Sequence, residues 1–569
     1  MAKLRVSLVI FALRVFTAVA HPSMVPLVVP GAFNEETQAA PPPPTIKLDD
    51  AIFTGKIVGQ AAHFLGIPFA EAPINGLRFR QPVPLGPYQG NHDATAYGKS
   101  CPQQPMNLPS WVDSDLSKIL NGVVNTMFDA MTPSDEDCLT LNVVKPSDAD
   151  QDSKLPVVIW IFGGGFEIGG SASVVYDAKG IIERSIALRE PIIYVSMNYR
   201  ISAFGFLAGK EVKEAGVGNL GLQDQRLAMR WVRKYITQFG GDPDKVTIWG
   251  ESAGAISTSL HMVTNGGDTE GLFRGAIMQS GGPIPVGDIE HGQQYYDAIV
   301  KDTGCHRSND TLECLRTVPY QTLKRAVDKS PNFFAHQALV LAWLPRVDGI
   351  FLKAPPQHLV LQGSVANVPF ISGNCDDEGS LFSISTINIS TTGQLHDYFK
   401  LYMLPEATDP ELDLLLRHYP DDLRAGSPFD TGYRNALGPQ FKRVAAILGD
   451  VVFHGPRRFF MKNRSDKQKT WAFIHKRMKD TPFIGSAHAT DLPNSFGNGE
   501  LRDYMIHFVN NLDPNGKRGL GIPWPQYDVT NPKAIVFQDS AFWPIKLGDD
   551  NYRHDALEFI ANLSLIHPM

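Results

Sequence analysis

The sequence predicts an α/β fold: a large, mostly parallel central sheet with helices on both faces. Three observations predict it. Short runs that are apolar on both faces recur along the chain. Segments with apolar residues at helical spacing lie between them. One of the runs leads directly into a glycine-flanked serine that is followed by a helix-forming stretch.

The runs are Val157–Phe162, Ile192–Asn198, Val246–Trp249, Ala276–Met278, Val368–Ser372 and Trp471–Ile474. A strand covered on both sides shows continuous apolar residues, whereas a half-exposed strand alternates. Between the second and third runs, Leu222–Ile236 carries apolar residues at helical spacing, as expected where helices separate the strands of a parallel sheet.

Composition narrows the function. Hydrophobic residues make up 43% and charged residues 20% of the 569 residues, and the formal net charge is −7. This is the balance of an ordinary globular protein. Without a long Lys/Arg run, nothing calls for nucleic acid or a polybasic membrane surface. Residues 1–20 read as a signal peptide: Lys3 and Arg5, the apolar run Val6–Leu13, and the A-x-A site Ala18-Val19-Ala20, with Arg14 interrupting. The segment is too short and charged for a membrane anchor, so no transmembrane anchor is expected. Residues 21–44 are rich in Pro and Ala and end in Pro41–Pro44, a flexible or polyproline extension. One large domain is placed at 45–569. Five cysteines (Cys101, Cys138, Cys305, Cys314 and Cys375) suit an oxidising compartment. So do the sequons at Asn309, Asn388, Asn463 and Asn562, and the expected location is extracellular.

The chemistry centres on Gly250-Glu251-Ser252-Ala253-Gly254, set between the strand Val246–Trp249 and the helix former Ala255–Met262. G-x-S-x-G between strand and helix is the nucleophile elbow: side chains at the glycines would clash, and the strained turn lifts the serine hydroxyl above the sheet edge. The helix that follows favours developing negative charge. Upstream, Gly163-Gly164-Gly165-Phe166 follows another strand, where backbone N–H groups can form an oxyanion hole. It lacks the endings of a phosphate-binding loop. Gly164, Gly165 and Ala253 are the expected donors. Glu251 is expected to support the elbow and not to react. This chemistry calls for neither metal nor cofactor.

These residues resemble the type-B carboxylesterase/lipase family, closest to its fungal branch of Candida rugosa-type lipases and sterol esterases. The resemblance runs from about Leu65. It is carried by Leu65-Gly66-Ile67-Pro68-Phe69-Ala70, Glu136-Asp137-Cys138-Leu139, Phe162–Glu167, Asn198-Tyr199-Arg200, Phe239-Gly240-Gly241-Asp242-Pro243 and Gly250–Gly254. It implies the α/β-hydrolase fold. It also selects the partners of Ser252, which the residue pattern leaves open among eight histidines beyond Glu378. The family's acid lies in a D-E-G turn, matched by Asp377-Glu378-Gly379, although Asp376 or Asp377 is an alternative acid. Its histidine lies late in the chain, matched by Gly485-Ser486-Ala487-His488. The order Ser252, Glu378, His488 is that of α/β-hydrolases. Similar sequences imply that Arg78 pairs with Glu136. Asp491 is expected to cap a following helix.

The expected bridges are Cys101–Cys138 and Cys305–Cys314, with Cys375 free. Between the first pair, Leu116, Ile119, Leu120, Val123, Val124, Met127, Phe128 and Met131 recur at helical spacing. In the similar fungal lipases this segment is a lid. An opened lid would present an apolar stripe to a lipid–water interface and a surface through which two copies pair. The expectation is a secreted lipase or sterol esterase acting on long-chain carboxylic esters through an acyl-enzyme. The alternatives are a carboxylesterase for small soluble esters and, remotely, a non-catalytic cholinesterase-like adhesion protein. Such proteins lack the serine or histidine.

Overall fold

The structure is a computed structural model, described over residues 42–112, 133–516 and 521–569. The expected signal peptide, nearly all of the Pro-rich extension, and the apolar stripe with its pairing surface fall outside those residues.

Two sheets form. The smaller joins β1 (Thr45–Leu48), β2 (Asp50–Thr54) and β5 (Gln89–Asp93). The larger has eleven strands: β3 (Lys56–Val58), β4 (Ala61–Pro68), β6 (Thr140–Pro146), β7 (Leu155–Ile161), β8 (Ile193–Met197), β9 (Gly241–Glu251), β10 (Gly275–Gln279), β11 (Phe370–Cys375), β12 (Thr470–Lys476), β13 (Lys533–Gln538) and β14 (Ile545–Asp549). Their spatial order is β14-β13-β12-β11-β10-β9-β7-β8-β6-β4-β3. From β8 to β13 every pairing is parallel, and the outer pairings are antiparallel. This is the α/β-hydrolase architecture expected.

All six apolar runs fall on strands of the parallel block, and where they lie within those strands their side chains are buried on both faces as covered strands must be. The helices Leu220–Tyr235 and Ala253–Val263 stand where the helical patterns put them. β9 starts five residues before its apolar run, because the polar Gly241–Lys245 carries no strand pattern yet pairs at Gly241 with Leu155. On β7 and β9, Trp160 and Trp249 are register partners. Their rings meet edge-on at 4.8 Å, and Trp249 stacks on Phe496 at 4.8 Å. Such aromatic pairs add about 0.5–1.5 kcal/mol each beyond their burial. They lock the two strands that lead into the serine elbow and the glycine loop.

Arg78 pairs with Glu136 as expected: Nε and Nη2 donate to the two carboxylate oxygens at 2.5 and 2.6 Å. Its Nη1 donates to the carbonyls of Leu315, Arg316 and Val318. Cys101 is bonded to Cys138 and Cys305 to Cys314, while Cys375 is a buried thiol. Among the described residues, no helix is long and apolar enough to cross a membrane.

Candidate active site

Four loops meet at the carboxyl ends of parallel strands, the edge where open α/β sheets bind ligands. The glycine loop follows β7, the elbow follows β9, the Asp377-Glu378-Gly379 turn follows β11, and the loop with His488 follows β12.

Ser252 sits at the tip of the elbow with φ 56° and ψ −125°. A non-glycine residue rarely adopts that conformation, and it persists only where its surroundings impose it. They do so here. The Ser252 N–H donates to the Gln279 carbonyl at 2.9 Å. A Cβ on Gly250 would lie 2.2 Å from the Gly254 backbone, and one on Gly254 would lie 1.9 Å from the Ile161 carbonyl oxygen. Only glycine fits at either position. The glycine loop closes on the elbow, since a Cβ on Gly163 would stand 2.8 Å from that of Ser252. Gly164 and Gly165 follow at φ 111° and 63°. Ala253 opens the helix Ala253–Val263, in the first turn, where amides lack intrahelical acceptors.

His488 Nδ1 lies 2.6 Å from Glu378 Oε2. Its Nε2 faces the elbow, 3.4 Å from Oε1 of Glu251, the residue before Ser252. The ring packs against Phe382 and Phe453, which also stack on each other. The two alternative acids are otherwise engaged. Lys479 donates to Asp376 and, at 2.8 and 2.9 Å, to both oxygens of Asp377. Asp377 also accepts from the Ser486 and Phe429 amides, which ties the acid turn to the histidine loop.

Two further buried acids surround the ring. Burial pushes Glu251 up to about 8 and Asp491 up to about 6, with neighbouring carboxylates adding to both. Burial alone would lower His488. The charge and hydrogen bond of Glu378, with help from Glu251 and Asp491, outweigh it and raise the imidazole above its ordinary value. The helix cap expected of Asp491 is not made. It holds the N-cap position of Leu492–Ser495, but its Oδ2 accepts from Gln279 Nε2 at 2.8 Å. The buried amide at the end of β10 captures the carboxylate.

The pattern also passed over Asn374, whose amide donates to Glu378 Oε1. No spacing marks it. Cys375 has 0% exposure, its Sγ accepts from Thr490, and burial raises its thiol well above the usual range. Of the sequons, Asn309, Asn388 and Asn562 are exposed. Asn463 is half-buried, and its amide donates to the Phe459 carbonyl within one helix.

Comparison with known proteins fits this geometry. The model of the carboxylesterase family matches residues 43–543. The chain belongs to that family. Relatives include lipase 4 of Diutina rugosa, 43% identical across 91% of this chain and 96% of its own. A secreted triacylglycerol lipase of Gibberella zeae is 38% identical, covering 96% and 97%. Among solved structures, Aspergillus niger EstA aligns with a TM-score of 0.77 and 28% identity over 93% of this chain and 99% of its own. As a member of the carboxylesterase family, the protein is a carboxylic ester hydrolase.

The raised acid of Glu251 has a measurable sign. A buried acid with an elevated pKa binds its proton more tightly folded than unfolded. Its contribution to stability is complete below the unfolded value of 4.5 and is lost as pH climbs through about 8. Glu251→Gln removes that titration. Its melting temperature, relative to the native enzyme's, should therefore rise steadily between pH 5 and pH 8. A constant difference across that window would show that Glu251 is ionised when folded.

Proposed function

We propose that the enzyme is a secreted lipase or sterol esterase that cleaves long-chain esters through an acyl-enzyme on Ser252. The observation that carries the mechanism is the 2.6 Å contact between His488 Nδ1 and Glu378 Oε2, with Nε2 turned towards the elbow. With Nδ1 protonated and held by Glu378, Nε2 is free to accept a proton. His488 removes the Ser252 hydroxyl proton as Oγ attacks the ester carbonyl. Backbone N–H groups of Gly164, Gly165 and Ala253 hold the tetrahedral oxyanion. As the intermediate collapses, the C–O bond to the alcohol breaks and His488 protonates the leaving oxygen. Water, deprotonated by His488, then attacks the acyl-enzyme and frees the acid and Ser252.

The preference for lipid rests on different support: relatives bearing lipase names and the apolar stripe in the sequence between Cys101 and Cys138. The bridge joins the two ends of that segment. In this reading the segment is a lid whose opening exposes an apolar face to the interface. Secretion is supported by the leader-like residues 1–20 and by the secreted relative.

The test is a rate profile for glycerol and sterol esters of increasing chain length, followed across each substrate's solubility limit. The rate on long-chain esters should jump once droplets or micelles form, and emulsified long-chain esters should outpace dissolved short-chain ones. A smooth saturation curve with short-chain esters fastest throughout identifies a carboxylesterase for soluble substrates instead.

A further inference from the structure

We propose that Asn374 is a positioning residue: its side-chain amide, fixed by Arg457, sets the Glu378 carboxylate for His488. The inference rests on the triad reading above. Asn374 lies on β11, four residues before Glu378, and is wholly buried. Its Nδ2 donates to Glu378 Oε1 at 3.1 Å, and the Cys375 backbone N–H donates to the same oxygen at 2.8 Å. Oε2 is thereby left for the imidazole. The terminal torsion of a glutamate is broad. Two donors projecting from one strand onto one oxygen restrict it.

An amide helps only in one of its two orientations, since the flipped form would set oxygen against oxygen. Arg457 decides between them. It lies on the helix Gly455–Arg464, with 0% exposure, and its Nε stands 2.6 Å from Asn374 Oδ1. A guanidinium has only donors, so it accepts nothing but the oxygen end. The amide donors are then turned to Glu378. Arg457 is itself clamped by the two oxygens of Asp550 at 2.8 and 2.7 Å and contacts the Tyr552 hydroxyl at 3.0 Å. Asp550 also binds Arg458 at 2.9 Å. A buried line of directed hydrogen bonds thus runs Asp550–Arg457–Asn374–Glu378–His488. The Arg457 charge is neutralised by Asp550, so what reaches the triad is orientation.

A double-mutant cycle tests this, with rates normalised to active sites titrated by an organophosphonate so that only folded enzyme counts. Asn374→Leu removes both ends of the amide at similar volume. Alone it should lower kcat about tenfold to a hundredfold, the usual worth of a hydrogen bond to a charged group, and leave KM within about twofold. In a Glu378→Gln background, with no carboxylate to aim, the same change should cost less than about threefold. Asn374→Asp guards against misfolding, because it keeps an acceptor for Arg457 while setting an acid against Glu378. It should show the same large single and small combined loss. Equal losses in both backgrounds, or unchanged kcat in both Asn374 variants, overturn the positioning role and leave the triad standing. Near-normal turnover by Glu378→Gln alone would instead overturn the triad reading itself.

Discussion

Ser252→Ala is expected to lower kcat by about four to six orders of magnitude, and His488→Ala by a similar factor. Glu378→Gln should cost about four orders, because the imidazole loses the partner that fixes its tautomer. The three losses will not add. The groups act as one unit, so Ser252→Ala combined with His488→Ala should be no slower than either alone. The fold should survive the serine change, since the elbow is held by backbone contacts: the Ser252 N–H on the Gln279 carbonyl and the close approach of Gly250 to Gly254. Thermal unfolding of Ser252→Ala should therefore match the native enzyme, and an organophosphonate should label Ser252 alone. Labelling at another residue, or turnover by Ser252→Ala within about tenfold of native, is incompatible with this mechanism.

The largest effect on stability is expected from Arg78→Leu, at about 3–5 kcal/mol. Most of that cost is not the lost attraction. It comes from stranding the Glu136 carboxylate, 6% exposed, with no counter-charge. Three carbonyls of the 315–318 turn lose a donor as well. Removing both charges, as Arg78→Leu with Glu136→Leu, should recover much of the loss. Midpoints of denaturant unfolding measured side by side decide the matter. A double variant as unstable as the single would mean that the arginine's carbonyl contacts, and not the ion pair, hold this corner.

The sheet was readable where burial leaves a local mark. Six of the seven parallel strands announce themselves as apolar runs. β13 does not, because Ala534–Phe537 is too short for periodicity to separate a strand from a buried helical turn. The outer antiparallel strands β4 and β6 pair far along the chain and carried no separate signal. The same limit divides the site. The elbow is written in consecutive residues, so Ser252 is legible without any relative. Glu378 and His488 lie on other strands' loops, and only the family resemblance picks them out. Asn374 and Arg457 meet through the packing of a helix on β11, and Asp491 turns from its cap to Gln279. No local pattern records which buried amide an acid will find.

The burial of Cys375 bears on how the chain acquires its covalent structure. Five cysteines can be joined into two bridges in many ways, and in the oxidising compartment proposed here each pairing is open to exchange through a free thiolate. The arrangement present, Cys101–Cys138 with Cys305–Cys314, is one of three pairings that leave Cys375 as the odd thiol. Once β11 is enclosed in the sheet, that thiol has no solvent exposure and is strongly disfavoured as a thiolate. Completing the sheet therefore removes the attacking group from circulation. The strand that shields this thiol is the one that leads into the Glu378 turn, so enclosing β11 protects both bridges from exchange through Cys375.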